Sequence, residues 1–137
     1  MKEFLFIVLT LTACTLLPKR LPTGIGKYQQ LNLQPVSDSL SMTGKKIFEE
    51  NCSSCHKMEY KNIGPDLSDI MSRRKPEWIM NFMLNMKKMK KGEATTIALD
   101  KEFAYANCYI PLSENKAQNV LEYFRLYQIW LHEFNVK

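Results

Sequence analysis

Histidine is scarce in this 137-residue chain: only His56 and His132 are present. A metal cage built from several imidazoles is therefore excluded. Long apolar runs are missing too. The longest, Phe4 to Leu11 near the N-terminus, is too short to span a bilayer. Five glycines without a three-residue period exclude a collagen-like chain. No sustained heptads, no internal repeat and no useful stretch of apolar–polar alternation appear, so coiled coil, solenoid and sheet readings fall away. The length leaves room for one domain. Acidic residues number 14 against 19 basic ones, for a net charge of +5. That balance permits any acidic partner. The apolar fraction of 45% is too high for a disordered chain.

What is present begins with a targeting pattern. Lys2 supplies a positive start, Phe4–Leu11 an apolar stretch, and Leu11-Thr12-Ala13-Cys14 follows. Small residues before a cut fit a secretory signal. A cysteine directly after it resembles a lipoprotein signal. The resemblance implies that residues 1–13 are removed and that Cys14 carries acyl chains, each buried CH₂ contributing about 0.8 kcal/mol of membrane affinity. The mature chain is then expected on the periplasmic side of a bacterial membrane, lipid-anchored, in an oxidising compartment. The alternative is an ordinary signal peptide with a chance cysteine.

Residues 14–41 read as lipid anchor and flexible tether. Pro18, Pro22 and Pro35 punctuate them, and Leu31 and Leu33 are isolated. Twenty-seven flexible residues span about 30 Å r.m.s.. The other reading packs part of the stretch on the domain as an N-terminal extension. Residues 42–137 read as helical throughout. Ser41 or Thr43 suits the cap of a first helix through Ile47 and Phe48. Pro76 suits the start, and Gly92 the end, of a helix carrying Trp78, Ile79, Phe82, Met83 and Met86 at spacings of three and four. Ser113 suits the cap of a last helix bearing Val120, Leu121, Phe124 and Tyr127. His132, near its end, reads as a surface or packing residue. A domain this small gains from an additional core element such as a cofactor.

The chemistry sits at Cys52-Ser53-Ser54-Cys55-His56. This is the C-x-x-C-H haem attachment pattern. Two thiols one helical turn apart reach the two vinyl groups of one porphyrin as thioethers, and the next imidazole points at the iron. Treating positions as independent, this composition produces the pattern by chance about 0.002 times. A zinc site would need Cys108 and a histidine beside the pair, with no second close pair to supply it. A thioredoxin-like redox pair would need a βαβ surround that the sequence lacks.

With that motif in place, residues 42–125 resemble small class I cytochromes c. Gly44-Lys45-Lys46-Ile47-Phe48-Glu49-Glu50-Asn51 leads into the haem motif as that family's first helix does. The resemblance implies an all-α fold around one covalently bound haem c, a class I cytochrome c-like architecture. It pairs Gly44 and Phe48 with Val120 and Tyr123 across two helices. It makes His56 the proximal iron ligand and places the Pro65 carbonyl of Asn62-Ile63-Gly64-Pro65-Asp66-Leu67 on its Nδ1–H. It sets Arg73, Arg74 and Trp78 beside the haem propionates, where guanidinium and indole N–H groups suit carboxylates. Trp78 reads equally as plain core.

The sequence departs from the family at the sixth iron ligand. The family usually carries a methionine there, in a loop before the last helix. Here the loop reads Tyr105-Ala106-Asn107-Cys108-Tyr109-Ile110-Pro111-Leu112-Ser113. One register puts Asn107 in the methionine place, another Ile110. Cys108 lies one residue away and has no other assigned role. Asn107, Cys108, a methionine among Met80, Met83, Met86 and Met89, and an open site all remain candidates. A thiolate would lower the reduction potential and a thioether would raise it.

Basic charge is concentrated in residues 57–91, densest at Lys87-Lys88 and Lys90-Lys91. It reads as a solvated helix end or as a docking patch for an acidic redox partner. Nucleic acid is not expected on the export side. The leading expectation is a monomeric electron carrier and not an enzyme, since no nucleophile–base pair is visible. Its redox partners would be a quinol-oxidising complex or another cytochrome on one side and a terminal reductase or oxidase on the other. The missing loop methionine motivates a second expectation, a haem protein that binds nitric oxide, carbon monoxide or oxygen. A haem-free structural or zinc-binding lipoprotein is a third.

Overall fold

A computed structural model describes residues 20–104 and 109–134. Five helices follow one another: α1 (Asp38–Asn51), α2 (Ile70–Arg73), α3 (Pro76–Gly92), α4 (Ala94–Glu102) and α5 (Glu114–Phe134). The described residues contain no strand, as the all-α expectation requires. No helix among them is long and apolar enough to cross a membrane.

The packing centre is the crossing of α1 on α5. A Cβ placed on Gly44 would lie 1.8 Å from the Asn119 carbonyl oxygen, so the two backbones touch there. One turn further on, the Phe48 ring meets Tyr123 at 5.6 Å and Phe124 at 5.8 Å between centroids. Val120, Leu121 and Phe124 are buried on the facing side of α5. The crossing expected from Gly44, Phe48, Val120 and Tyr123 is present. Trp78, Ile79 and Met80 of α3 complete the core.

Helix α1 begins earlier than expected. Ser37 is its cap, accepting from the Leu40 amide at 3.4 Å, with Asp38 in the first turn. Ser41 is buried inside the helix, and the Thr43 hydroxyl donates back to Ser39. Capping residues recur here at 37, 39, 41 and 43. The acidic Asp38 beside the helix N-terminus favours the first of them. Helix α3 runs from Pro76 to Gly92 as expected, with one non-helical residue inside it, Asn85 at φ −149° and ψ 43°. Ser113 precedes α5, its Oγ accepting from Lys116 N at 3.4 Å and its carbonyl from Ala117 N at 2.9 Å.

The flexible-tether reading needs correcting from residue 20 onward. Residues 20–37 form a strap across the domain, and α1 already starts at Asp38. Asn81 of α3 is buried and holds the strap on both sides. Its Oδ1 accepts from Tyr28 N at 3.1 Å, and its Nδ2 donates to the Thr23 and Tyr28 carbonyls at 2.9 and 2.7 Å. Glu77 accepts from Leu31 N at 2.9 Å, and Arg125 donates to the Gln34 carbonyl at 2.8 Å. Gly24 has φ +79° and lies so close to Met89 that a Cβ would sit 2.7 Å from its methyl. Ile25, Tyr28 and Leu31 add apolar contact with the core. Ile25, Tyr28 and Leu31 stand three apart but in no helix, and the strap buries them one by one against the core.

Helix α4 was not expected after the Gly92 stop. Its cap is Glu93, an unusual choice. The Glu93 carboxylate accepts from Thr95 N at 3.1 Å, Thr96 N at 2.7 Å and the Thr96 hydroxyl at 2.6 Å. It also accepts from the indole N–H of Trp78 at 3.1 Å. Burial pushes the Glu93 carboxyl up, but the hydrogen bonds from Thr96 and Thr95 outweigh it and hold it at about 2. A depressed native value contributes stability above the unfolded carboxylate value and loses it as pH falls toward the native one. Acid unfolding is therefore expected to gain part of its steepness between the usual carboxylate range and pH about 2. Glu93→Gln should flatten that limb in stability measured against pH. An unchanged limb would contradict the assignment.

Candidate functional site

The haem motif grows out of the end of α1. Cys52 N bonds the Phe48 carbonyl at 2.8 Å, and Cys55 N and His56 N bond the Cys52 carbonyl at 3.0 and 2.8 Å. The chain thus makes one more turn beyond Asn51, which sets Cys52 and Cys55 on one wall of a cavity. Cys52 carries a free thiol, and burial pushes it up to about 11. Cys55 is disulfide-bonded, so a thioether at this position requires its sulfur to be reduced first.

His56 is held from behind. Its Nδ1 lies 3.2 Å from the Pro65 carbonyl oxygen. A carbonyl can only accept, so Nδ1 carries the hydrogen and Nε2 keeps its lone pair. Burial pushes the imidazole below its ordinary value, and the Pro65 bond opposes this. The ring rests on Gly64, where a Cβ would lie 2.4 Å from His56 Cε1. The loop 57–68 sets this backing. Gly64 N donates to the Cys55 carbonyl at 2.8 Å, and Asp66 Oδ1 accepts from Glu59 N at 2.9 Å and Ser68 N at 2.8 Å. Glu59 adopts φ +81°, and the Tyr127 hydroxyl of α5 donates to its carboxylate at 2.5 Å.

The cavity has a volume of about 420 Å³, within the usual range for cofactor sites of roughly 300–1,000 Å³. Its walls are mostly apolar, with Phe48, Ile79, Phe82, Leu99, Leu112 and Phe124 among them. Arg73, Arg74 and Trp78 all reach it, but in unequal roles. Arg73 is committed to the loop, donating to the Asp66 carbonyl at 2.5 Å and to Asp69 Oδ1 at 2.7 Å. Trp78 is 3% exposed and gives its only N–H to Glu93. It is cavity wall and core here, with its indole N–H committed to Glu93. Arg74 stacks on the Trp78 ring at 5.0 Å. Burial pushes its guanidinium below the ordinary value, with like-charged Arg73 adding to this and Glu93 opposing. Its Nε is buried with no partner. A buried donor left without an acceptor is costly, and an anionic group in the cavity would satisfy it.

These residues fit a haem. A pair of sulfurs one turn apart, an imidazole with one nitrogen kept open, apolar walls and an orphaned cationic donor meet at one cavity. Among the described residues no three of His, Cys, Asp and Glu converge on a metal site. Asn107, Cys108 and Cys14 lie outside the described residues, so the loop candidates for sixth ligand and the lipidated cysteine have no place in this geometry. His132 is exposed and touches Gln128 at 3.0 Å. Sequence reasoning missed Gly64 as the floor under His56 and Glu93 as the partner of Trp78. A glycine beside a proline reads as an ordinary turn, and a buried carboxylate leaves no pattern.

Comparison with known proteins agrees. The family model described as cytochrome c matches residues 41–125. A cytochrome c from Rhodothermus marinus is 32% identical and superposes with a TM-score of 0.72, covering 76% of this chain and 90% of that one. An engineered form of that cytochrome, bound to a carbene intermediate, is likewise 32% identical, with a TM-score of 0.70 over 76% of this chain and 91% of that one. Curated proteins give no match. The motif, the cavity and these likenesses lead to one conclusion: the chain is a small class I monohaem member of the cytochrome c family, whose members bind haem c covalently through such a cysteine pair.

Proposed function

We propose that this haem c electron carrier works at a membrane surface, anchored through Cys14 on the periplasmic side. It accepts single electrons from a quinol-oxidising complex or another cytochrome and passes them to a terminal reductase or oxidase. The observation that carries the carrier reading is the His56 site, a rigidly backed imidazole beside two cysteines in an apolar cavity. When bound, haem supplies one-electron ferric–ferrous chemistry. The chain supplies the rest. Pro65 fixes the ring and raises its basicity, the walls exclude water, and Arg74 offers charge to a carboxylate. The proposal treats the protein as a carrier and not an enzyme. The lysines at the end of α3 provide a docking charge for an acidic partner, with more effect on association rate than on affinity.

The test is fractionation of cells expressing the full chain and Cys14→Ser, joined to a redox titration of each. The parent chain should sediment with membranes, and the variant should appear in the soluble export fraction. Both should titrate as one reversible one-electron couple. Membrane retention of the variant would overturn the anchor. Ready carbon monoxide binding by the parent would favour ligand sensing over electron carriage.

A further inference from the structure

Glu93 is a buried charge at the corner where α3 ends and α4 begins. Its N–H donates to the Met89 carbonyl at 2.8 Å, and its carboxylate caps α4. Only 7% of the residue is exposed. The donors to its carboxylate are Thr95 N, Thr96 N, the Thr96 hydroxyl and the Trp78 indole, all of them neutral groups. None of the ion pairs among the described residues includes it. Hydrogen bonds of this kind favour the ionised form and leave its charge in place. No cation in contact cancels the field.

The field has a short way to travel. Trp78 and Thr96, whose side chains both bond Glu93, also line the haem cavity. The carboxylate therefore stands one side chain behind the wall. Trp78 is fixed on several sides: Phe82 stacks on it at 5.0 Å and 12°, Arg74 lies over the ring at 5.0 Å, and a Cβ on Gly24 of the strap would sit 3.2 Å from its Cδ1. Packing of this kind holds the indole N–H on Glu93. Arg74, itself on the cavity wall, already feels the charge, which supports its protonated form against burial.

A haem iron gains one unit of positive charge on passing from ferrous to ferric. A fixed anion behind the wall stabilises the ferric form more than the ferrous, and apolar surroundings screen it little. We propose that Glu93 sets the reduction potential of this cytochrome, its buried carboxylate holding the couple lower than the axial ligands alone would. The inference rests on the haem-carrier reading and deepens it. Glu93 is a positioning residue here, acting through the Trp78 wall and through its field. No bond forms or breaks, and the carboxylate keeps its charge in both oxidation states. The effect is the same whichever group fills the sixth iron position.

The test is a redox titration at neutral pH of the haem-loaded full chain and of Glu93→Gln, Glu93→Asp and Glu93→Asn. Gln keeps the length and removes the charge. Asp and Asn are both good helix caps of matched size, so this pair separates charge from packing even if the Gln variant fails to fold. At a fixed ambient potential, Glu93→Gln should shift the ferrous-to-ferric ratio roughly threefold or more toward ferrous, with the parent's absorption spectrum retained. Glu93→Asn should lie on the ferrous side of Glu93→Asp. Equal potentials within either pair would overturn the proposal and leave Glu93 a helix cap only. A second readout follows the indoles of the same haem-loaded chain by ¹⁵N resonance, with Trp130→Phe to assign them. The Trp78 N–H should exchange slowly with solvent and shift in Glu93→Gln, while Trp130 stays unmoved. An unmoved Trp78 signal would overturn the proposed link from Glu93 to the wall. Failure of the carrier reading would show differently, as absence of covalent haem or of a reversible one-electron couple in the parent chain.

Discussion

Replacing His56 with alanine is expected to abolish the low-spin spectrum of the haem-loaded chain while haem stays attached through Cys52 and Cys55. The imidazole lines the cavity with an orienting bond behind it, from Nδ1–H to the Pro65 carbonyl at 3.2 Å. That bond fixes which nitrogen is open and raises its donor strength. Gly64 leaves room for the ring to lie flat against the loop. Alanine removes the ligand and leaves the backing intact, so the loss falls on the iron and not on the fold. Absorption of ferric and ferrous protein, with a haem stain after denaturation, separates the two effects. A parent-like spectrum and potential would show that another group ligates the iron.

Gly44→Ala is expected to destabilise the protein by about 3 kcal/mol, the upper part of the range for overpacking. The added Cβ would lie 1.8 Å from the Asn119 carbonyl oxygen and 3.0 Å from Val120 N. Both are backbone atoms and have no rotamer to yield, so α1 and α5 must separate. Separation loosens Phe48 from Tyr123 and Phe124, and with it one wall of the cavity. Alanine's better helix propensity returns about 1 kcal/mol, which is not enough. For a domain of this size the thermal midpoint should fall by about 10–20 °C. A midpoint within a few degrees of the parent would mean that the crossing is looser than described.

The crossing and the haem turn were legible in the sequence because each depends on short, fixed spacings. Gly44 and Phe48 stand one turn apart, as do Cys52 and Cys55, and Val120 and Tyr123 share one helical face. Pro76 and Gly92 marked α3 because both residues act through backbone chemistry that neighbours rarely override. The strap was illegible for the opposite reason. Its hold on the domain comes from one buried side chain far along the chain, Asn81, and from backbone atoms that have no sequence signature. Helix α4 was hidden by its nearly absent amphipathic contrast and by a glutamate in the capping role. Trp78 was readable as cavity wall, but its hydrogen-bond partner was not. The indole is claimed by Glu93, fifteen residues on, through a contact that only the α3–α4 corner creates.

The strap also changes what an anchor at Cys14 would accomplish. Nine residue steps separate Cys14 from Thr23, the first strap residue with a hydrogen bond to the domain. Fully extended, nine residues reach about 30 Å, against about 90 Å for the 27-residue tether. Were Cys14 lipidated, the shorter leash would confine the haem domain to a thinner layer above the bilayer. Partners fixed in the same membrane then meet it at a higher effective concentration, and any partner beyond the leash meets it not at all. Asn81 would in that sense act on electron traffic without touching the haem, by deciding how much of the chain is free to pay out.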